Sequence, residues 1–228
     1  MSSVPISVPS NRPSMYSTPH HRFTSRELQA HKHSVPANCR FEIDDAEDEW
    51  IFSQKFDFIH GRALLSCFKN NRFIVNSAFD ALAPGGYFEL QDPCMPMRSD
   101  DGTLKGTSLD EWQTLIIGAL KTMGRNLSDS VNWGSYMREA GFVDIVEKRY
   151  YWGTNPWVRG EKRKLQAAWC QQNLLDGLNA MSMALFTRVL GWSMERIEVL
   201  LAGVRNDLKD RKIHAYAEVY IVYGRKPE

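Results

Sequence analysis

His60 is a side chain whose position in the sequence suggests catalysis. It follows the short apolar run Phe56-Asp57-Phe58-Ile59 and precedes Gly61 and Arg62. An imidazole titrates near neutral pH, so a histidine directly after a buried strand is suited to take a proton from a substrate. His60 is therefore our candidate catalytic residue. The alternative is a histidine whose ring is satisfied by neighbouring backbone groups.

Aromatic side chains and a second histidine are concentrated in the C-terminal part of the chain. They fit two interpretations: a hydrophobic pocket for a flat or polyketide-like substrate, or core residues that bury large areas. The pocket candidates are Trp112, Tyr151, Trp152, Trp157 and His214.

The elements that must position these residues alternate between strands and helices. Strands are expected at 39–43, 56–59, 87–90, 142–152 and 215–223, and helices at 71–82, 108–123, 133–140, 161–178, 181–189 and from 194 onward. Ser108, Asn132 and Ser193 are the expected N-caps, and Gly141 is an expected helix terminator. The alternation predicts an α/β sheet with helices on its faces.

Two regions of different composition divide the chain. Residues 1–37 are rich in Ser, Pro, His and Arg, and such a segment cannot bury enough apolar surface to offset its ordering entropy. We predict a disordered tail at 1–37 and a folded domain at 38–228. The histidines of the tail are interpreted as solvated, so no metal site is predicted.

Composition narrows the classes of partner. The formal net charge is +1 and hydrophobic residues make up 43% of the chain. This charge gives no field that would attract nucleic acid, and no apolar run reaches the length of a membrane span. We therefore expect no nucleic acid and no membrane. The four cysteines show no metal-ligand spacing and no C-x-x-C, which is typical of reduced thiols inside a cell, so we expect a cytoplasmic location with the nucleus as the alternative. If the aromatic residues form a pocket, the expected substrate is a small molecule.

Several motifs together resemble the fungal LaeA-like group of class I methyltransferases. Leu82-Ala83-Pro84-Gly85-Gly86-Tyr87-Phe88-Glu89-Leu90 is similar to the helix-turn-strand that leads into the fifth strand of that fold. Met137-Arg138-Glu139-Ala140-Gly141-Phe142 is similar to the junction before its sixth strand. Two longer segments are similar to sequences of the LaeA-like group: Tyr151-Trp152-Gly153-Thr154-Asn155-Pro156-Trp157 and Tyr223-Gly224-Arg225-Lys226-Pro227. Their order and spacing carry the resemblance.

The resemblance implies a Rossmann-like sheet with flanking helices and a C-terminal antiparallel strand. It implies S-adenosylmethionine (SAM) at the carboxyl ends of the strands, with helical insertions on the substrate side at 108–140 and 161–209. In the acidic segment 42–49, Asp45 would bind the adenine amino group and the backbone of Ala46 would face the ring. His60, Gly61 and Arg62 would line the methionine end.

The cofactor loop of the family has no counterpart in this sequence, because no G-x-G occurs in it. We therefore expect an incomplete, truncated sheet, and three interpretations stay open. The chain is an enzyme whose cofactor site is completed by another segment or subunit, or a non-catalytic scaffold, regulator or substrate-pocket protein, or the product of an incorrect gene model. An exposed sheet edge would favour self-association or binding of a protein partner.

Overall fold

A computed structural model describes residues 44–64 and 66–228. The predicted tail at 1–37 and the strand expected at 39–43 lie outside the described residues. The strands are β1 (Phe56–Arg62), β2 (Leu82–Arg98), β3 (Val143–Gly153) and β4 (Tyr216–Arg225). The α-helices are α1 (Asn71–Ala81), α2 (Ser108–Thr122), α3 (Trp133–Ala140), α4 (Glu161–Arg188) and α5 (Met194–Lys209), and a 3-10 helix spans Asp129–Asn132.

The four strands form one mixed sheet in the order β1-β2-β4-β3. β1 and β2 are parallel, and β4 is antiparallel to both β2 and β3. β3 therefore runs in the same direction as β1 and β2. The α/β class, the flanking helices and the C-terminal antiparallel strand are confirmed.

Two clusters of buried side chains form the core. The first lies between α1, α3 and one face of the sheet, and includes Phe88, Leu90, Met137 and Val222. The second lies between α2, α4 and α5 and reaches the ends of β2 and β4 through Met97 and Ala217. Of the expected insertion at 108–140, α2 thus belongs to the second cluster, whereas α3 packs on the sheet with α1.

The other face of the sheet is less covered. The register places one set of side chains on the face opposite Phe88 and Leu90, and these lie outside both clusters: Phe58, Tyr87, Tyr150, Ile221 and Tyr223. Tyr87 is 40% exposed and Tyr150 is 45% exposed. Apolar surface therefore meets solvent on this face within the described part of the chain.

The helix expected in two pieces at 161–178 and 181–189 is continuous. α4 runs unbroken through Asn179 and Ala180 because Leu178, Ser182 and Phe186 are buried at successive turns of one face. Packing against the second cluster therefore overrides the weak break in the sequence pattern.

The N-cap of α2 is Thr107 rather than Ser108. Thr107 has extended dihedrals, and its side chain accepts a hydrogen bond from the Asp110 amide. The other caps are as expected in position: Ser193 accepts from the Arg196 amide, and Gly141 ends α3 with a left-handed φ of 99°. Asn132 stands at the N-cap of α3 but makes no capping bond, because its amide donates to Asp129 instead.

Candidate active site

The carboxyl ends of β1, β2 and β3 point in the same direction, and β1 ends opposite Gln91, before the end of β2. β1 ends at Arg62 and β2 at Arg98, which pairs with Tyr216 at the start of β4. β3 ends at Gly153, which also pairs with Tyr216. In open α/β sheets ligands bind outside such carboxyl ends, so residues near these strand ends, here called the carboxyl edge, are the candidates for a ligand site.

His60 lies beside Glu89 on the less covered face of the sheet. The two residues are register partners in the parallel β1–β2 pair, and His60 Nδ1 lies 3.4 Å from Glu89 Oε1. Gln91 donates to the same carboxylate oxygen, and Phe58 stacks along the His60 ring at 6.1 Å between centroids. His60 is therefore held by a carboxylate partner rather than by backbone alone.

Gly61 and Arg62 differ in their surroundings. A Cβ atom on Gly61 would lie 2.6 Å from Leu64 Cδ1 and 2.8 Å from Leu90 Cδ2, so the glycine makes room for core leucines. Arg62 is exposed at the end of β1. Their roles at the methionine end of a cofactor stay predictions.

The chain beyond β1 has an unusual backbone. Ala63 has φ 56° and Ser66 has φ 58°, in the left-handed region that residues with a Cβ seldom adopt. The amide of Ala63 donates to the Gln91 carbonyl at 3.1 Å. Such conformations persist where surrounding structure fixes them, and they concentrate at functional sites.

Asp45 and Ala46 form a short turn at the start of the described chain. Asp45 Oδ1 accepts from the Glu47 amide at 2.9 Å, and the Asp45 carbonyl accepts from the Asp48 amide at 3.0 Å. Trp50 donates its indole N–H to the Ala46 carbonyl at 3.0 Å. The second carboxylate oxygen of Asp45 makes no hydrogen bond within the described residues, so this exposed side chain keeps an acceptor for a ligand.

Glu47 joins the acidic turn to the segment beyond β1. Its Oε1 accepts from the Lys69 amide at 2.6 Å, and its Oε2 lies 3.5 Å from Arg125 Nη2. Arg125 Nη1 donates to the Ser66 carbonyl at 2.9 Å and also to the Cys67 carbonyl. The structure therefore brings the acidic turn together with the residues that follow β1.

His214 and Asp101 form the second polar group at the carboxyl edge. His214 Nδ1 lies 2.5 Å from Asp101 Oδ2, and the His214 amide donates to Thr103 Oγ1 at 2.8 Å. Thr103 donates to Asp101 Oδ1 through its hydroxyl at 2.7 Å and its amide at 3.1 Å. The Thr103 bonds, followed by the His214 bond, lower the pKa of Asp101 to about 2.

Aromatic rings surround His214. Trp157 lies 4.8 Å from its ring and donates its indole N–H to the Ala215 carbonyl at 2.9 Å. Tyr216 contacts Tyr151 edge-on at 5.6 Å and donates its hydroxyl to Asp100 at 2.7 Å. This bond to Asp100 raises the pKa of Tyr216. The carboxyl edge thus assembles three of the predicted pocket residues, Tyr151, Trp157 and His214.

The other two pocket candidates lie elsewhere. Trp112 is 2% exposed in the second core cluster, where its indole donates to Ser182 Oγ at 2.8 Å. Trp152 is half-buried and pairs in register with Ala217, so its side chain projects from the sheet face opposite Tyr151. Contact of either residue with a substrate stays a prediction.

Sequence reasoning missed several residues of this edge. Asp100 and Asp101 lie two and three residues after the end of β2, and that position near a strand end could have marked them. Glu89 could have been found as the neighbour of His60 once β1 and β2 were aligned. Arg125 carried no signal, because it lies in the connection after α2 far from both segments that it joins.

The residues of this edge suit the binding of a nucleoside cofactor and an acceptor. An exposed carboxylate at Asp45 can accept from an exocyclic amine, and the aromatic group around His214 can contact a flat molecule. Within the described residues, no group of three or more His, Cys, Asp or Glu side chains is arranged to hold a metal ion. None of the helices in this part of the chain is long and apolar enough to span a membrane.

Comparison with known proteins agrees with this architecture. A family model described as a methyltransferase domain matches residues 14–147. The probable methyltransferase tdiE of Emericella nidulans is 38% identical over 187 residues, which cover 82% of this chain and 59% of that protein. The secondary metabolism regulator laeA of Monascus pilosus is 29% identical over 84% of this chain and 53% of its own length.

A third relative is the protein-methionine methyltransferase laeA of Emericella nidulans, which is 30% identical over 84% of this chain and 52% of its own length. The chain thus spans between half and three fifths of the length of these curated relatives. The matched domain, the relatives and the sheet order lead to one conclusion: this chain belongs to the methyltransferase domain family and resembles its fungal LaeA-like members.

Proposed function

We propose that this protein binds SAM at the carboxyl edge of its sheet and serves methyl transfer to a small-molecule acceptor in fungal secondary metabolism. One observation carries the proposal. The acidic turn with Asp45 is joined to the segment that follows β1, and the His60–Glu89 pair lies near the end of β1, whereas the aromatic group around His214 lies at the ends of β2 and β3. We therefore assign the cofactor to the side of β1 and the acceptor to the ends of β2 and β3.

The chemistry of the transfer asks little of the protein. SAM, when bound, supplies a methyl group on an activated sulfonium. The protein must align the acceptor with that group and exclude competing nucleophiles. Asp45 and Ala46 would hold the adenine, while Tyr151, Trp157 and His214 would hold the acceptor.

His60 is the proposed base for an acceptor that must lose a proton. Its Glu89 partner would orient the ring and stabilise the imidazolium after proton transfer. The name of one relative indicates a methionine side chain as the acceptor of that protein. A thioether sulfur carries no proton, so an acceptor of that kind would make the base unnecessary.

The direct test is isothermal titration of the full chain with SAM. We expect saturable binding. Asp45→Asn should weaken it by about tenfold, because a charge-assisted hydrogen bond to the adenine amine becomes a neutral one. Asparagine keeps the oxygen that accepts from the Glu47 amide. Asp48→Asn, an exposed neighbour with the same loss of charge, is the matched control and should bind as the wild type does.

A second candidate function is a non-catalytic scaffold or regulator of the same family. The observation that favours it is the lack of any G-x-G in the sequence, since glycines let the backbone approach the cofactor closely. The same titration separates the two functions. Protein with a folded circular dichroism spectrum and no heat of SAM binding would support the non-catalytic function.

A further inference from the structure

We propose that Arg125 is a positioning residue, which holds the acidic turn of the proposed cofactor site at a fixed separation from the segment that follows β1. The inference rests on the proposed binding of SAM. The two segments are the acidic turn at 45–48 and residues 66–69, and Arg125 belongs to neither of them. It lies after α2, where its amide donates to the Leu120 carbonyl at 2.9 Å.

The guanidinium of Arg125 bonds to both segments at once. Nη1 donates to the Ser66 and Cys67 carbonyls, and Nη2 lies 3.5 Å from the Glu47 carboxylate. The fixed fork of donors in arginine suits such simultaneous contacts, whereas the single ammonium of lysine does not. Arg125 and Glu47 are 22% and 28% exposed, so the pair is only partly screened by solvent.

Glu47 completes the connection on the other side. Its Oε1 accepts from the Lys69 amide at 2.6 Å, while its own amide donates to Asp45 Oδ1 at 2.9 Å. A displacement of Glu47 would therefore change the orientation of the carboxylate that we assign to adenine. Arg125 acts on Asp45 through this residue and makes no cofactor contact of its own.

The backbone at Ser66 explains why this segment needs a fixed partner. Ser66 has a left-handed φ of 58° without being a glycine, and its own carbonyl is one that Arg125 binds. A conformation of this kind persists only where surrounding contacts determine it. Removing the guanidinium should let the segment relax to more common dihedrals and move away from the acidic turn.

The test compares Arg125→Met and Arg125→Lys with a matched control, Arg205→Met. Arg205 is also partly exposed, at 33%, and lies 3.5 Å from a glutamate, Glu198, on α5. Two measurements are made on each full-length protein well below its melting temperature. The first is amide hydrogen exchange at Glu47, Asp48, Cys67 and Lys69 without ligand, and the second is titration with S-adenosylhomocysteine.

We expect Arg125→Met to raise exchange in both segments together and to weaken S-adenosylhomocysteine by about tenfold, as for a lost hydrogen bond to a charged group. Arg125→Lys should recover only part of each effect, and Arg205→Met should show neither. Unchanged exchange in Arg125→Met would overturn the inference. So would faster exchange with unchanged affinity, since that result describes a purely structural contact.

Failure of the proposed function gives a different result. In that case the wild-type protein itself shows no binding of S-adenosylhomocysteine, whatever the exchange rates of the variants. The positioning role would then fall together with the proposed function. If the wild type binds and Arg125→Met binds equally well, the inference about Arg125 alone is wrong.

Discussion

Asp101 organises the polar group around His214 through three hydrogen bonds. Thr103 occupies one carboxylate oxygen and His214 Nδ1 faces the other. A donor at Nδ1 fixes the neutral imidazole so that Nε2 is the acceptor nitrogen. At the residue scale, the site thus contains two histidines with carboxylate partners, His60 with Glu89 and His214 with Asp101.

Asp101 should also make stability depend on pH under acidic conditions. Its pKa is lowered from 3.8 to about 2, so the unfolded chain binds the proton more tightly than the folded protein does. The stabilisation by Asp101 is therefore present above pH 3.8 and is lost as the pH falls toward 2. We expect the free energy of unfolding of Asp101→Asn to fall less steeply than that of the wild type across this window.

Urea unfolding at a series of pH values measures this slope. Asp176→Asn, an exposed aspartate on α4, corrects for the loss of one negative charge. Identical slopes for Asp101→Asn and the wild type would contradict the assignment of a strong hydrogen-bond network to Asp101.

At the residue scale, the candidate residues near strand ends could be predicted from the sequence, but the side chains that contact them could not. His60 stood out because it follows the apolar run Phe56–Ile59 in the sequence, although the strand itself continues through His60 to Arg62. Its contact with Glu89, and the hydrogen bonds between Asp101 and His214, form only because particular strands are neighbours in the sheet. Pairing of this kind is set by tertiary packing, which a local pattern does not contain.

At the scale of elements, two glycines differ in the space available for a side chain. A Cβ atom on Gly86 would lie 2.9 Å from the Ala83 carbonyl oxygen and 3.0 Å from that of Phe56, because β1 and β2 approach closely there. Gly118 lies exposed in the middle of α2, and a Cβ atom there meets nothing within 4 Å. The two positions therefore predict opposite effects for the same substitution.

We expect Gly86→Ala to destabilise the protein by about 1–3 kcal/mol, the usual cost of forcing atoms into an occupied space. Gly118→Ala should stabilise it by about 0.5–1 kcal/mol, because alanine loses less conformational freedom in a helix. Chemical denaturation of both variants decides the matter. A neutral Gly86→Ala would mean that the two strands can separate without cost.

Element boundaries followed the sequence where caps and periodicity agreed, as at Ser193 and Gly141. They departed from it in α4, where the buried face of Leu178, Ser182 and Phe186 carries the helix through a stretch without strong periodicity. Helix length there is a property of the partner helices α2 and α5, and only the assembled core reveals it.

At the scale of the whole molecule, residues 44–64 and 66–228 contain two hydrophobic clusters that share the same strands. Leu90 belongs to the cluster of α1 and α3, and Leu201 belongs to that of α2, α4 and α5. β2 contributes Leu90 to one cluster and Met97 to the other, and β4 likewise contributes Val222 and Ala217. Because strands continue from one cluster into the other, we expect a single cooperative unfolding transition.

Truncation of a buried leucine in either cluster tests this expectation. Leu90→Ala and Leu201→Ala should each cost about 2–5 kcal/mol, and the double variant should be additive within about 0.5 kcal/mol. Leu165→Ala, at a leucine that is 62% exposed, should stay within about 0.5 kcal/mol of the wild type. Tryptophan fluorescence and far-UV circular dichroism should give the same midpoint. Two separate midpoints would show that the clusters unfold independently.

The position of β4 between β2 and β3 has a consequence for how the protein is made. Arg98 of β2 cannot pair until Tyr216 has been synthesised, and β3 meets the sheet only through the same strand. During translation one edge of β2 and the backbone groups of β3 that pair with β4 therefore stay unpaired until β4 has been synthesised. Because these pairings join residues far apart in the sequence, we expect them to slow folding and to leave the edge of β2 open to aggregation until β4 pairs.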